Sequence, residues 1–277
     1  MSELLIHSMN EFADVILDTL SAANARSIVE IGAEFGGMTQ RLANYCAQIQ
    51  GDLTTIDPSP KPEFLEWLAG HSHVRHLPLP SLEAMGELAQ VDAWLIDGDH
   101  NYYTVFHEMQ AADQLAQQSG RPLLALLHDV GWPCARRDMY YAPDRIPPAW
   151  RQPNDHNVGV YLGNPGSFAH RGFRGGGHFA WALEAGGPRN GVLTAVEDFI
   201  AFAEAEGRQM AYAHIPAVFG LGVVFDISAP WANAVAALLA PYHDNALIAR
   251  LEENRLRNYL TVLDMQDSMQ RMARGFA

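Results

Sequence analysis

Residues 28–43 read IVEIGAEFGGMTQRLA, an apolar run that stops at Gly32, passes two more glycines and then takes up a helical spacing. A buried strand, a glycine turn and a helix, in that order, are how α/β proteins present backbone N–H groups to a ligand at a helix N-terminus. Glycine suits such a turn because a Cβ would block close approach and because the turn can require positive φ. The spacing is Glu30-x-Gly32-x-x-x-Gly36, with Gly37 adjacent. A dinucleotide fingerprint asks for G-x-G-x-x-G, and Ala33 and Glu34 stand where its middle glycine belongs. A nicotinamide oxidoreductase is thereby disfavoured.

The same alternation continues outward from this turn. Apolar positions Phe12, Val15, Ile16 and Leu20 predict a helix over 9–23. DLTTIDPS (52–59) reads as a second strand closed by Asp57 and Pro58, PEFLEWLAGH (62–71) as a helix and VRHLPL (74–79) as a short strand. SLEAMGEL (81–88) is helical, VDAWLIDGD (91–99) a fourth strand, YYTVFHEMQAADQLA (102–116) a helix and RPLLALLHDV (121–130) a fifth strand. Near-continuous apolar strands alternating with helices predict an α/β fold with a doubly wound, mostly parallel sheet.

The rhythm breaks at 131. Residues 131–192 hold seven prolines, eleven glycines and nine aromatics. A segment this long without regular structure is functional or disordered, and its aromatic content favours function. Helical spacing returns at 193–206, and MAYAHIPAVFGLGVVFDIS (210–228) predicts an antiparallel hairpin at the sheet edge. The tail, 229–277, is expected to be helical throughout. Leu247, Leu251, Asn254, Asn258, Val262, Met265, Met269 and Met272 step by threes and fours, a stripe that belongs on its own domain or on a second subunit.

Composition bounds the rest. The 277 residues suffice for one large α/β domain, with 131–192 as an insertion and 229–277 as an oligomerisation element. Hydrophobic residues at 48% and charged residues at 18% belong to a folded protein. A net charge of -14 without a basic stripe argues against nucleic acid as a partner. Cys46 and Cys134 form no metal or redox spacing. No apolar run is long enough to span a membrane, and MSELLIHSMNEF has no leader pattern, so a cytoplasmic protein is expected.

With VEIGAEFGG and TTIDPS on the page, the chain resembles the class I S-adenosylmethionine-dependent methyltransferases. That resemblance implies a seven-stranded sheet ending in the 210–228 hairpin. It also implies a cofactor site in which Glu30, Gly32, Ala33 and Gly36 form the turn, Asp57 binds both ribose hydroxyls, and Asp97 stands near the reactive methyl. LIDGDHNYYTV (95–105) and LLALLHDVGWP (123–133) are similar to the small-molecule and sugar O-methyltransferase branch, which includes cephalosporin hydroxylase-like proteins. Several members bind a divalent metal at those strand ends.

The carboxyl ends of a doubly wound sheet line one edge, where ligands bind. Strand four brings Asp97, Asp99 and His100 to it, and strand five His128 and Asp129. Buried carboxylates in such number call for a cation or for hydrogen bonds. One reading is a divalent Mg, Mn, Fe or Zn ion held by Asp97, Asp129 and a third ligand, His128 or His100. A second is a histidine base, His100 or His128, with no metal. A third is turn and helix capping. Beyond strand five, Trp132, Arg136, Arg137, Tyr140 and Tyr141 are candidates for a substrate chamber, the arginines either receiving an anionic small molecule or pairing with the protein's own carboxylates. Rival functions are an oxygenase-like metalloenzyme on the same fold and a non-catalytic adenosyl-binding scaffold subunit.

Overall fold

The computed structural model describes residues 5–275. A single turn of 3-10 helix leads into α1 (Ala13–Ala22), followed by β1 (Ser27–Ile31), α2 (Gly37–Ile49), β2 (Asp52–Ile56), α3 (Pro62–Ala69), β3 (Val74–Leu77) and the short α4 (Ser81–Ala84). Then come β4 (Ala93–Ile96), α5 (Tyr102–Ser119) and β5 (Leu124–His128). After the insertion, α6 (Val192–Ala205) precedes the hairpin strands β11 (Met210–Ile215) and β12 (Leu221–Asp226). The chain closes with α7 (Ala232–Leu239) and α8 (Ala246–Gly275).

The sheet order is β11-β12-β5-β4-β1-β2-β3. Strands β1 to β5 run parallel, and β12 lies antiparallel between β5 and β11. This is the expected seven-stranded doubly wound sheet with its terminal hairpin. The crossover helices cover both faces. Val29, Ile31, Trp94, Ile96, Ala125 and Leu127 point to the core shared with α5 and α6. Ile28, Leu95, Leu124 and Leu126 point to the core shared with α1, α2 and α7. The period of two along each strand divides its side chains between these cores, which is why the strands read as unbroken apolar runs.

Register sets the site. Ile31 pairs with Ile56 on one side and Ile96 on the other, and Ile96 pairs with Leu127. Gly32, Asp57, Asp97 and His128 therefore leave their strands side by side. Helix α5 starts cleanly after this edge because the Asn101 side chain accepts the Thr104 N–H at 2.9 Å, and it stops at left-handed Gly120.

Two expectations change. The insertion forms small sheets: β6 (Met139–Tyr140), β7 (Asn154–Asp155) and β10 (Ala180–Ala182) pair in one, β8 (Val158–Gly159) and β9 (Phe168–Ala169) in another. The tail is not one continuous helix. It breaks after α7, where Pro241 supplies no N–H and Asp244 has φ 45, and Asn245 restarts it by accepting the N–H groups of Leu247 and Ile248. Residues 1–4 and 276–277 of the expected single domain lie outside the described residues.

Candidate functional site

Gly32 has φ 93, and a Cβ there would meet the Asp97 carbonyl oxygen at 2.2 Å. The neighbour that excludes a side chain is thus the exit of β4, and the glycine lets the ends of β1 and β4 lie close together. Gly36 has φ 81 and opens α2, with the Phe64 ring against it. Asp57 Oδ2 accepts the N–H groups of Ala33 (3.1 Å) and Glu34 (2.9 Å), and Oδ1 accepts that of Ser59 (2.8 Å). A carboxylate offers about four lone-pair sites, so this pinned group keeps capacity for a ribose hydroxyl. The donor set at this turn fits an adenosyl ligand.

Glu30 lies beneath the turn, fully buried. Thr39 of α2 donates its hydroxyl to Oε2 at 2.6 Å. Burial pushes its carboxyl up to about 8 against the opposing Thr39 bond, and Asp97 and Asp57 push the same way. Glu30 takes a hydroxyl and not the backbone N–H groups of the turn.

The acid and imidazole centre is built by β4 and β5. His128 Nε2 donates to the Val218 carbonyl at 2.8 Å, while Nδ1 lies 3.1 Å from Asp97 Oδ1 and 3.2 Å from Asp129 Oδ2. A carbonyl and ionised carboxylates only accept, so both ring nitrogens carry protons. Burial works against that charge, but Asp97 and Asp129 together hold the imidazolium well above its ordinary range. His128 has no lone pair to offer, and the expectation that it serves as base or metal ligand is corrected: it is the buried cation between two carboxylates. Asp129, whose burial would raise its carboxyl, is instead lowered by His100 and His128. Its φ of 60 shows the backbone bending sharply just past β5.

His100 is placed differently. Its Nδ1 lies 3.1 Å from Asp129 Oδ2, and its ring stands 5.8 Å from that of Tyr141. Nδ1 faces the carboxylate, so Nε2 points away from it. Asp97, His100 and Asp129 each offer one ligand atom within 4.8 Å of the others. Two carboxylates and an imidazole suit a divalent transition metal or Mg²⁺, so the residues fit such an ion, with His100 in the place expected of His128. Asp99 caps locally, accepting the Thr104 hydroxyl at 3.0 Å.

In the insertion, most of the expected substrate residues are engaged in structure. Arg136 pairs with Glu197 of α6 at 2.5 and 2.6 Å. Arg137 is buried and donates to the carbonyls of Ala182 (2.5 Å), Pro165 and Gly166 (3.0 Å). Of the two expected roles, Arg136 takes the pairing with a carboxylate of the protein itself, and Arg137 binds backbone carbonyls. Tyr140 is also buried, its hydroxyl donating to Asp138 at 2.6 Å and accepting the Gln152 N–H. Trp132 packs on Phe173 and Phe219. Tyr141, 53% exposed, is the one of the five that faces His100, with the Phe179 ring edge-on to it at 6.2 Å.

Three contributors escaped sequence reasoning. Asp138, fully buried, accepts the N–H groups of Tyr102 and Gly191 at 2.7 Å each, so one carboxylate sits at the N-termini of α5 and α6. Burial raises it to about 6, opposed by Tyr140 and those backbone bonds. Val218 supplies the carbonyl that fixes His128, at a left-handed φ of 45 costly for a β-branched residue. His7 adds its field to Asp129. An acid between two helix starts could have been suspected from DGDH and RNG; nothing in the sequence marks a carbonyl acceptor.

Comparison with known proteins agrees with the topology. Residues 29–130 match the family described as a methyltransferase domain. No curated protein matches the chain. Among solved structures it is similar to the SAH-bound Podospora anserina methyltransferase PaMTH1, at 15% identity over 76% of each chain and a TM-score of 0.44. It is similar also to the Burkholderia thailandensis 1,6-didemethyltoxoflavin-N1-methyltransferase with bound 1,6-didemethyltoxoflavin and S-adenosylhomocysteine, at 12% identity, over 79% of this chain and 78% of that one, with a TM-score of 0.40. The sheet order is that of the class I methyltransferase fold, and within it residues 29–130 are similar to the methyltransferase-domain family.

Proposed function

We propose that the protein methylates a hydroxyl of a small molecule, with His100 as the base that receives the hydroxyl proton. The observation that carries this reading is the 3.1 Å contact between His100 Nδ1 and Asp129 Oδ2, which directs the basic Nε2 lone pair away from the carboxylate. Bound S-adenosylmethionine supplies an electrophilic methyl carbon on a sulfonium. The acceptor oxygen forms the new C–O bond as the C–S bond breaks, and its proton passes to His100 Nε2. S-adenosylhomocysteine leaves with the sulfur electron pair. Orientation of the two reactants accounts for roughly 7–11 kcal/mol of barrier reduction, and the base for about 10²–10⁴ in rate.

The cluster of Asp97, His100 and Asp129 favours a second, metal-assisted reading. A divalent ion held there would lower the pKa of a bound acceptor hydroxyl. In either case the insertion 131–192 forms the substrate chamber, with Tyr141 at its floor. The reading extends to a cytoplasmic homo-oligomer in specialised metabolism. Among the described residues, no helix is long and apolar enough to cross a membrane.

S-adenosylhomocysteine release with a panel of hydroxylated small molecules tests the reaction. His100→Gln is expected to keep cofactor uptake in calorimetry and to lose about 10²–10⁴ in rate; an undiminished rate removes His100 from the chemistry. Metal content separates the two readings. Stoichiometric Mn²⁺ or Zn²⁺ that Asp129→Asn abolishes supports the metal, and full turnover of metal-free protein supports the base alone.

A further inference from the structure

Helix α8 has two faces with different fates. One packs on the body: Leu256 and Leu260 are buried, Glu252 accepts the Phe219 N–H at 3.1 Å, and Asp267 holds Arg174 at 2.6 and 2.9 Å. The other face is bare. Leu247 (67%), Leu251 (62%), Val262 (36%), Met265 (56%), Met269 (60%) and Met272 (58%) stand exposed in a single stripe. The own-domain location of that stripe is thereby excluded. From 247 to 272 the stripe runs about 38 Å at 1.5 Å per residue. Six large apolar side chains on one helix face, with Asn254 and Asn258 between Leu251 and Val262, are more than scattered surface hydrophobics explain.

We infer that this stripe is the seam on which a second copy of the chain pairs, α8 against α8, antiparallel about a two-fold axis near residues 259–260. The order of residues argues for that occupant. Reversed on itself, the stripe sets Leu247 opposite Met272, Leu251 opposite Met269, Asn254 opposite Met265 and Asn258 opposite Val262, so each end presents an apolar pair to its copy. Asn258 donates to Asn254 at 3.1 Å within the helix, so the two amides in the middle of the stripe partly satisfy each other. Covering the stripe on both copies removes on the order of 1,200 Å² from water, the lower bound of a standard interface, and its isologous geometry closes the assembly at two.

The seam adjoins the reaction centre through the helix's other face. Glu252 grips Phe219, Val218 beside it holds His128, and Arg255 reaches the Ile6 carbonyl at 2.8 Å. The partner braces the helix that braces this turn. The pairing itself does not rest on the proposed reaction.

Light scattering of the purified chain without any ligand is expected to give twice the chain mass, and Leu251→Glu with Met265→Glu the chain mass, with the circular dichroism of the folded protein kept. A monomer at every concentration, a dimer that survives both glutamates, or a stripe covered by a different protein overturns the inference. Orientation is read by mixing Leu251→Cys protein with Met269→Cys protein under oxidation. A cross-linked pair in the mixture and none in either alone is the expected result; cross-linking of Leu251→Cys protein alone overturns the antiparallel register. No catalytic assay enters, so failure of the reaction scheme leaves this result readable.

Discussion

His128 Nε2 lies 2.8 Å from the Val218 carbonyl oxygen, a bond between the end of β5 and a residue 90 positions later. It converts the histidine from a reagent into a fixed positive charge, because its other nitrogen already faces Asp97 and Asp129. Replacing His128 by Gln leaves the buried Asp129 and the partly buried Asp97 facing one another. The expected cost is about 3–5 kcal/mol, the range for breaking a buried ion pair, read as a lowered urea midpoint. A variant with wild-type stability would show that the carboxylates need no cation.

Gly32→Ala should be among the most damaging single substitutions in the chain. Its Cβ would sit 2.2 Å from a backbone carbonyl, at φ 93, where neither partner can swing aside. Strain and overpacking together predict a loss of about 3 kcal/mol or more. Gly86→Ala, with nothing within 4 Å of the added atom, should melt within a degree or two of wild type. The thermal midpoints of the pair check the contrast.

Arg137→Met should destabilise by about 2–4 kcal/mol, since three carbonyls of the insertion lose a charged donor. Arg136→Ala removes a half-exposed ion pair and should cost no more than about 1 kcal/mol. Neither should change the acceptor KM by more than the stability loss explains. A selective rise in KM for anionic acceptors in Arg136→Ala would return that arginine to the substrate site.

Glu108 of α5 carries a pH dependence of stability. It is fully buried, and burial raises its carboxyl to about 8 from 4.5, opposed by Ser81 and reinforced by Asp99. The unfolded chain releases this proton near 4.5, the folded chain only near 8. Stability from this group is therefore complete below 4.5 and declines as pH rises to 8, by an amount on the order of a few kcal/mol. Glu108→Gln removes that decline. Glu30 titrates in the same direction, so the quantity to measure is the stability difference between wild type and variant in urea at pH 5, 6, 7 and 8. It should shift in favour of the variant by pH 8, and a constant difference would contradict the buried acid.

Much of the architecture was legible because it is local. The runs SIVEI, AWLI and LALLH, the turn glycines and the strand-end acids announce a parallel sheet and its ligand edge. What sequence could not assign depends on distant backbone. Arg137 looks like a substrate arginine until the carbonyls of 165, 166 and 182 come round to it, and backbone acceptors have no side-chain signature. In α8 the helical period was readable but not its outward direction. The inward face relies on Asp264 and Asp267, whose partners Tyr161 and Arg174 lie some hundred residues away.

The Asp138 carboxylate is shared by α5, α6 and the insertion that carries it. Sheet scaffold and insertion consequently lack a clean seam: replacing 131–192 with the segment of another protein of this architecture would remove the anion from both helix starts. A chimera would need the graft to bring its own acid to the same junction, which ties changes of acceptor choice to changes in the platform beneath.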